Sequence, residues 1–293
     1  MTAVDEYRVA DADAGPYAVT VGPDGALWYT MVHAGRIGRL VPAGDGPTSV
    51  ALSPGSGPTA ITAGPDGALW CTEYAAHRIG RIGTDGAVTE FPVPTPECGP
   101  YGIVAGPDGA LWFTESAADR IGRITPDGTV TEHPLPVAGG FPAAITAGGD
   151  GALWFALNRA DAIGRLTTDG AFTLHPLPTA GAAPVGITAG TGGVVWCTEI
   201  GAGRLARIDP DRRITEYPLP DPAGRPHAVT VDAAGTPWFT EWAGNRIGRL
   251  AADGTTTSYD LRTPGAEPHG LTVCPDGNVW AALEIGALAR VTP

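Results

Sequence analysis

Two of the six histidines, His227 and His269, stand 42 residues apart, and each directly follows a proline. Glu267 precedes His269 by two positions, and Glu284 lies four positions after Trp280. An imidazole changes charge near neutrality and is suited to moving protons. Two imidazoles beside two carboxylates would form a cluster of the kind that marks a functional site. Trp242 and Tyr17 fall at related positions and extend the candidate set. No Ser-His-Asp arrangement or reactive cysteine is evident, so these residues need no covalent acyl-enzyme. The question is what brings them to one place.

The answer lies in two rulers. Trp28, Trp70, Trp112, Trp154, Trp196, Trp238 and Trp280 are each 42 apart. Pro16, Pro58, Pro100, Pro142, Pro184, Pro226 and Pro268 keep the same step. Seven steps of 42 make 294, against a chain of 293 residues. One unit reads PYGIVA, GPDG, ALWFTE, SAAD, RIGRI, TPDG, TVTEHPLP over residues 100–136. Short β-rich runs joined by Asp-Gly turns are hairpins. Four such strands in a period of about 40–45 residues make a propeller blade. The expected fold is all-β: a single seven-bladed β-propeller domain spanning residues 1–293. The last unit stops at ALARVTP without an outer strand, while DEYRVA (residues 5–10) matches TEYPLP (residues 215–220). The N-terminal segment should therefore complete the seventh blade and remove the exposed edge.

In such a blade the strand after the proline lines the central channel. Its start and the end of the Trp strand reach the same face. The residues after the proline run Tyr17, Thr59, Tyr101, Ala143, Val185, His227 and His269. Those before it run Gly15, Gly57, Gly99, Phe141, Ala183, Arg225 and Glu267. Four places after the Trp come Val32, Tyr74, Ser116, Asn158, Ile200, Trp242 and Glu284. His227, Trp242, Glu267, His269 and Glu284 thus belong to blades six and seven, with Tyr17 next door. They should share one sector of one rim. Arg290 follows its Trp by ten positions where the other blades have eleven, so blade seven has lost a loop residue close to Glu284.

Residues that recur have a simpler explanation. Glu73, Glu115, Glu199 and Glu241 each stand three after a Trp, and a link to the R-I-G-R strand is the expected role. The seven repeated Trp should pack blade against blade. The Asp-Gly turns need no metal to account for them. His33, His77, His133 and His175 are expected to be solvated. Trp242 reads equally as packing or as an aromatic substrate contact.

Composition narrows the partners. The 18 basic residues are all Arg and face 31 acidic ones, for a net charge of −13. Such a surface repels phosphate backbones and anionic lipid, so neither nucleic acid nor a membrane is expected as a partner. No run is long enough for a membrane span, and MTAVDEYRVA lacks the apolar stretch of a signal peptide. The four cysteines have no zinc-type spacing, and Cys71 and Cys197 read as buried small residues. A cytoplasmic monomer is the expectation.

The unit GPDGALWFTE…RIGRI…TEHPLP, repeated through the whole chain, resembles the virginiamycin B lyase (streptogramin B lyase) family. The sharper likeness is Glu267-Pro268-His269, His227 within RPHAVT, and Glu284 shortly after Trp280. The resemblance implies that Glu267 and Glu284 hold a Mg²⁺ ion and that His269 is the catalytic acid/base. It makes His227 a substrate-positioning or auxiliary residue and Tyr17 a substrate contact. The implied activity is linearisation of streptogramin B cyclic depsipeptides (virginiamycin S, quinupristin type). The ester would open by β-elimination, leaving a dehydro-amino acid and a carboxylate with no water added.

Two other classes stay open. In a metal-dependent lactonase or esterase the same groups would activate water, although the rim then offers mainly Asn158 and small residues as further ligands. A non-catalytic binding propeller would hold no metal at Glu267 and Glu284 and turn over no ester.

Overall fold

The computed structural model describes residues 4–42 and 44–293. Twenty-eight strands form seven antiparallel four-stranded sheets, and the only helices among the described residues are three short 3₁₀ turns. Each innermost strand opens on the repeated proline, as in Pro16–Val21, Pro226–Val231 and Pro268–Val273. The first residue of a strand is where the missing N–H does least harm. The Trp strand follows, as in Leu27–Met31 and Val279–Leu283, then the Arg-rich strand and the outer strand. Val4–Arg8 pairs antiparallel with Ala287–Val291, so the N-terminal strand closes the ring as expected.

The core consists of seven apolar clusters, each drawing residues from two successive blades. The repeated Trp supply the bulk: six are 2% exposed or less, and Trp196 is 8% exposed. In four blades the turn aspartate holds both the Trp and an Arg, and in blade six Asp232 holds Trp238 alone. Asp24 accepts from the Trp28 indole at 3.0 Å and from Arg39 Nε at 2.7 Å, and Asp66, Asp108 and Asp150 do the same in the next three blades. Close packing also explains the glycine of R-I-G-R. A Cβ on Gly122 would sit 2.1 Å from the Phe113 ring. Where the facing residue shrinks to Cys197 or Ala281, the cross-strand partner is Ala206 or Ala289 instead.

One recurring device aims residues at the channel. The register between the innermost and Trp strands shifts just after each proline, for example between Pro268 and Leu271. Such irregularities re-aim side chains. In five blades a buried threonine two after the Trp secures the shift; blades four and seven have Ala156 and Ala282 there. Thr240 Oγ1 accepts from Ala228 N at 3.1 Å and donates to the His269 carbonyl of the next blade at 2.7 Å. Thr198 likewise joins Gly186 N to the His227 carbonyl. The two histidines are therefore set by bonds from the blades before them.

Candidate active site

Glu267, His269 and Glu284 meet where blades seven and one join. Each offers a ligand atom, and these atoms lie within 4.8 Å of one another. His269 is buried in the inner strand at 7% exposure, while both glutamates are half-buried. Glu267 holds a left-handed backbone at φ 49°, where blades one to three carry Gly15, Gly57 and Gly99. Phe141, Ala183 and Arg225 hold the same conformation at this position in blades four to six, with φ between 45° and 52°. Glu284 immediately follows its strand, and its N–H donates to the Ala266 carbonyl at 3.0 Å. The turn is one residue shorter between Leu283 and Ala287, and Trp280 still faces Arg290; Glu284 N makes the bond that His33 N makes to the Ala14 carbonyl in blade one.

Both oxygens of Glu284 are engaged. His269 Nε2 lies 2.8 Å from Oε2, and His33 Nε2 lies 2.8 Å from Oε1. Tyr17 stacks on His269 with ring centroids 4.4 Å apart, and His227 meets the same imidazole edge-on at 4.8 Å. The Tyr17 hydroxyl lies 3.3 Å from His227 Nε2 and 2.6 Å from the Tyr101 hydroxyl. Beneath them the channel leaves a cavity of about 110 Å³ lined by Tyr17, Tyr101, Val185, His227 and Gly270.

The electrostatics separate the groups. Burial works to raise the Glu284 pKa, but the hydrogen bonds from His269 and His33 outweigh it and keep the carboxyl below its ordinary range. Glu267 moves up, through burial and the neighbouring Glu284. The Trp242 indole N–H, near Glu267 but outside hydrogen-bonding geometry, works the other way. Burial pulls His269 below its usual value against the opposing pull of Glu284. Burial, then the neighbouring His269, takes His227 down to about 3, so it is a neutral imidazole at physiological pH. The Tyr17 phenol is pushed well up by burial and by Tyr101.

Two adjacent carboxylates, with an imidazole at hand and no Arg bonded to them, suit a divalent cation. Oxygen donors fit Mg²⁺. All six candidate residues therefore lie in one sector, with Trp242 on its edge beside Glu267; the Arg225 guanidinium sits 5.9 Å from the Trp242 ring centroid.

Other expectations are corrected. His33 is exposed yet bonded to Glu284. His77 Nδ1 accepts from Gly99 N, and His133 and His175 stack on Trp112 and Trp154 with centroids 5.2 Å apart. None of these four is merely solvated. Of the recurrent glutamates only Glu241 pairs with its Arg-rich strand, through Arg246 Nε at 2.5 Å. In blades two and five the equivalent Arg78 and Arg204 turn to Glu90 and Glu216 on the outer strand. Blade six has Ser258 at that outer position, opposite Gly248, and Arg246 turns instead to Glu241 and to Asp221 at 2.8 Å. Asn158 donates to the Ala183 and Pro184 carbonyls, so its amide serves the rim's own backbone. Tyr101, outside the candidate set read from the sequence, shares the post-proline position of Tyr17 and bonds its hydroxyl.

Comparison with known proteins gives a consistent answer. The profile of the virginiamycin B lyase family matches residues 2–291. A streptogramin B lyase structure superposes with a TM-score of 0.96 at 41% identity, covering 99% of this chain and 97% of that one. A catalytically inactive His-to-Ala virginiamycin B lyase from Staphylococcus aureus, with quinupristin, covers 100% of both chains at TM-score 0.95 and 40% identity. The curated virginiamycin B lyase of Saccharopolyspora erythraea is 55% identical over 45 residues. That stretch is 15% of this chain and 15% of the relative's length.

Proposed function

The chain belongs to the virginiamycin B lyase family, and from that premise we propose that it inactivates streptogramin B antibiotics by opening their macrocyclic ester through β-elimination. The substrate class follows from the relatives, one of which was solved with quinupristin. The observation that carries the reading is the convergence of Glu267, His269 and Glu284 within 4.8 Å at the ring's closing seam.

His269 takes the Cα proton of the threonyl residue; its Nε2 lies 2.8 Å from Glu284 Oε2, and its Nδ1 is buried without a partner. Its lowered pKa keeps it an unprotonated base at neutral pH. The Cα–H electrons form the Cα=Cβ bond, the Cβ–O bond breaks, and the carboxylate leaves with that electron pair. Glu267 and Glu284 would hold Mg²⁺, whose chemistry is to polarise carbonyl oxygens next to the breaking bond. Neutral His227 and Tyr17 hold the substrate, and their mutual hydrogen bond fixes the direction each presents. Stacking by Tyr17 keeps the His269 ring from turning. Trp242 offers an aromatic surface at the edge of the site.

Incubation with a streptogramin B and Mg²⁺, followed by mass spectrometry, tests this. A ring-opened product of unchanged mass containing a dehydro-amino acid is expected. A product heavier by one water identifies a hydrolase and overturns the elimination.

A further inference from the structure

His33 interrupts the repeat at a position the rest of the ring treats as unimportant. Five places after the Trp, the other blades carry Ala75, Ala117, Arg159, Gly201, Ala243 and Ile285. The imidazole of blade one reaches across the closing seam to Glu284 of blade seven, Nε2 to Oε1 at 2.8 Å. The neighbouring chain is shaped to receive it. A Cβ on Gly15 would fall 2.4 Å from His33 Cδ2, so the glycine leaves room for this ring. The loop is itself anchored, with His33 N and Ala34 N both donating to the Ala14 carbonyl at 3.2 Å.

We propose that His33 is a positioning residue of the same active site, orienting the Glu284 carboxylate so that its second oxygen meets His269 Nε2. This rests on the lyase reading given above. A glutamate on a short loop can rotate about its side-chain bonds; with Oε1 tied to His33, Oε2 has one direction left, and it lies 2.8 Å from the base. The His33 side chain is 55% exposed and that of Glu284 26%. A contact so open to solvent adds little to stability. What it supplies is orientation, and partners that orient a functional group are worth about ten- to a hundredfold in activity or metal affinity.

The test uses His33→Ala and His33→Gln in the full chain, with two readouts. With a streptogramin B as substrate, His33→Ala should lose about tenfold in kcat with KM little changed. His33→Gln, which restores an N–H donor, should recover most of the loss. Independently of substrate and metal, the ¹⁵N resonance of His269 Nε2 should move in His33→Ala and return in His33→Gln. An unmoved resonance overturns the proposal. So does a Gln variant as impaired as the Ala variant, or a melting temperature that falls in step with activity. If the wild-type protein turns over no streptogramin B, the lyase reading fails, and the His269 resonance still decides whether His33 orients the Glu284–His269 pair.

Discussion

Glutamate appears in this ring in two settings with opposite fates. Glu73, Glu115 and Glu199 lie inside their blades with no exposure and no hydrogen-bond partner for either oxygen. Burial, then a second carboxylate on the outer strand (Glu90, Glu132 or Glu216), raises them to about 7, 8 and 8. They are neutral acids over much of the physiological range. Glu284, half-buried at the rim, is instead kept ionised by two imidazoles. The same functional group is held neutral in one place and ionised in the other, and its neighbours decide which. Recurrence tracks the division: what every few blades repeat holds blades together, and what breaks the repeat stands at the site.

The comparison is broken most severely at the rim. His269→Ala should reduce kcat by about a thousandfold, the scale of a lost general base, with its melting curve near that of the wild type. Glu115→Gln should do the reverse and leave turnover intact. Equal losses from both would erase the distinction.

The next largest effect is on stability against pH. A carboxyl whose folded-state pKa is raised contributes stability that is fully present below its unfolded value. That stability is lost as pH rises through the folded one. Glu73, Glu115 and Glu199 should therefore make the fold less stable between about pH 4.5 and about pH 8. Each group costs about 1.4 kcal/mol per pH unit while it stays protonated only in the folded state. Denaturant melts at pH 5, 6, 7 and 8 measure the slope, and Glu115→Gln should flatten it.

Glu267→Gly sharpens the contrast at a single position. Blades one to three already place Gly there with φ between 56° and 66°. Removing the left-handed strain should stabilise the protein by about 1 kcal/mol while turnover is lost. A destabilised variant would mean that Glu267 serves the fold.

The smallest effect concerns blade six. Ser258→Glu should draw Arg246 away from Glu241 and convert that ion pair into the arrangement of blades two and five. The Glu241 carboxyl should then titrate higher, as NMR of the labelled side chain would show.

Much of this was legible in the sequence, because a 42-residue period reports on the backbone. The Trp and Pro rulers specified seven blades, and DEYRVA matched the missing outer strand. Equivalent repeat positions placed His227, Glu267, His269 and Glu284 on one rim. The remainder depends on side-chain reach. His33 looked solvated because its partner lies 251 residues away across the seam. Tyr101 is two blades round from His269's neighbour Tyr17 and touches it only across the channel. The glutamates of the Trp strands had their cross-strand arginines in register, as with Glu73 opposite Arg78. The outer-strand Glu90 nevertheless competes for that guanidinium. Such competition is settled by geometry and leaves no mark on the period.

The central claim is that the rim carboxylates, and not the interior ones, hold a divalent cation beside His269. Crystals soaked in Mn²⁺ and measured at a wavelength where manganese scatters anomalously test it directly. A peak in contact with both Glu267 and Glu284 is expected. A map empty at that position, or a peak only at the interior pairs such as Glu115 and Glu132, would contradict it.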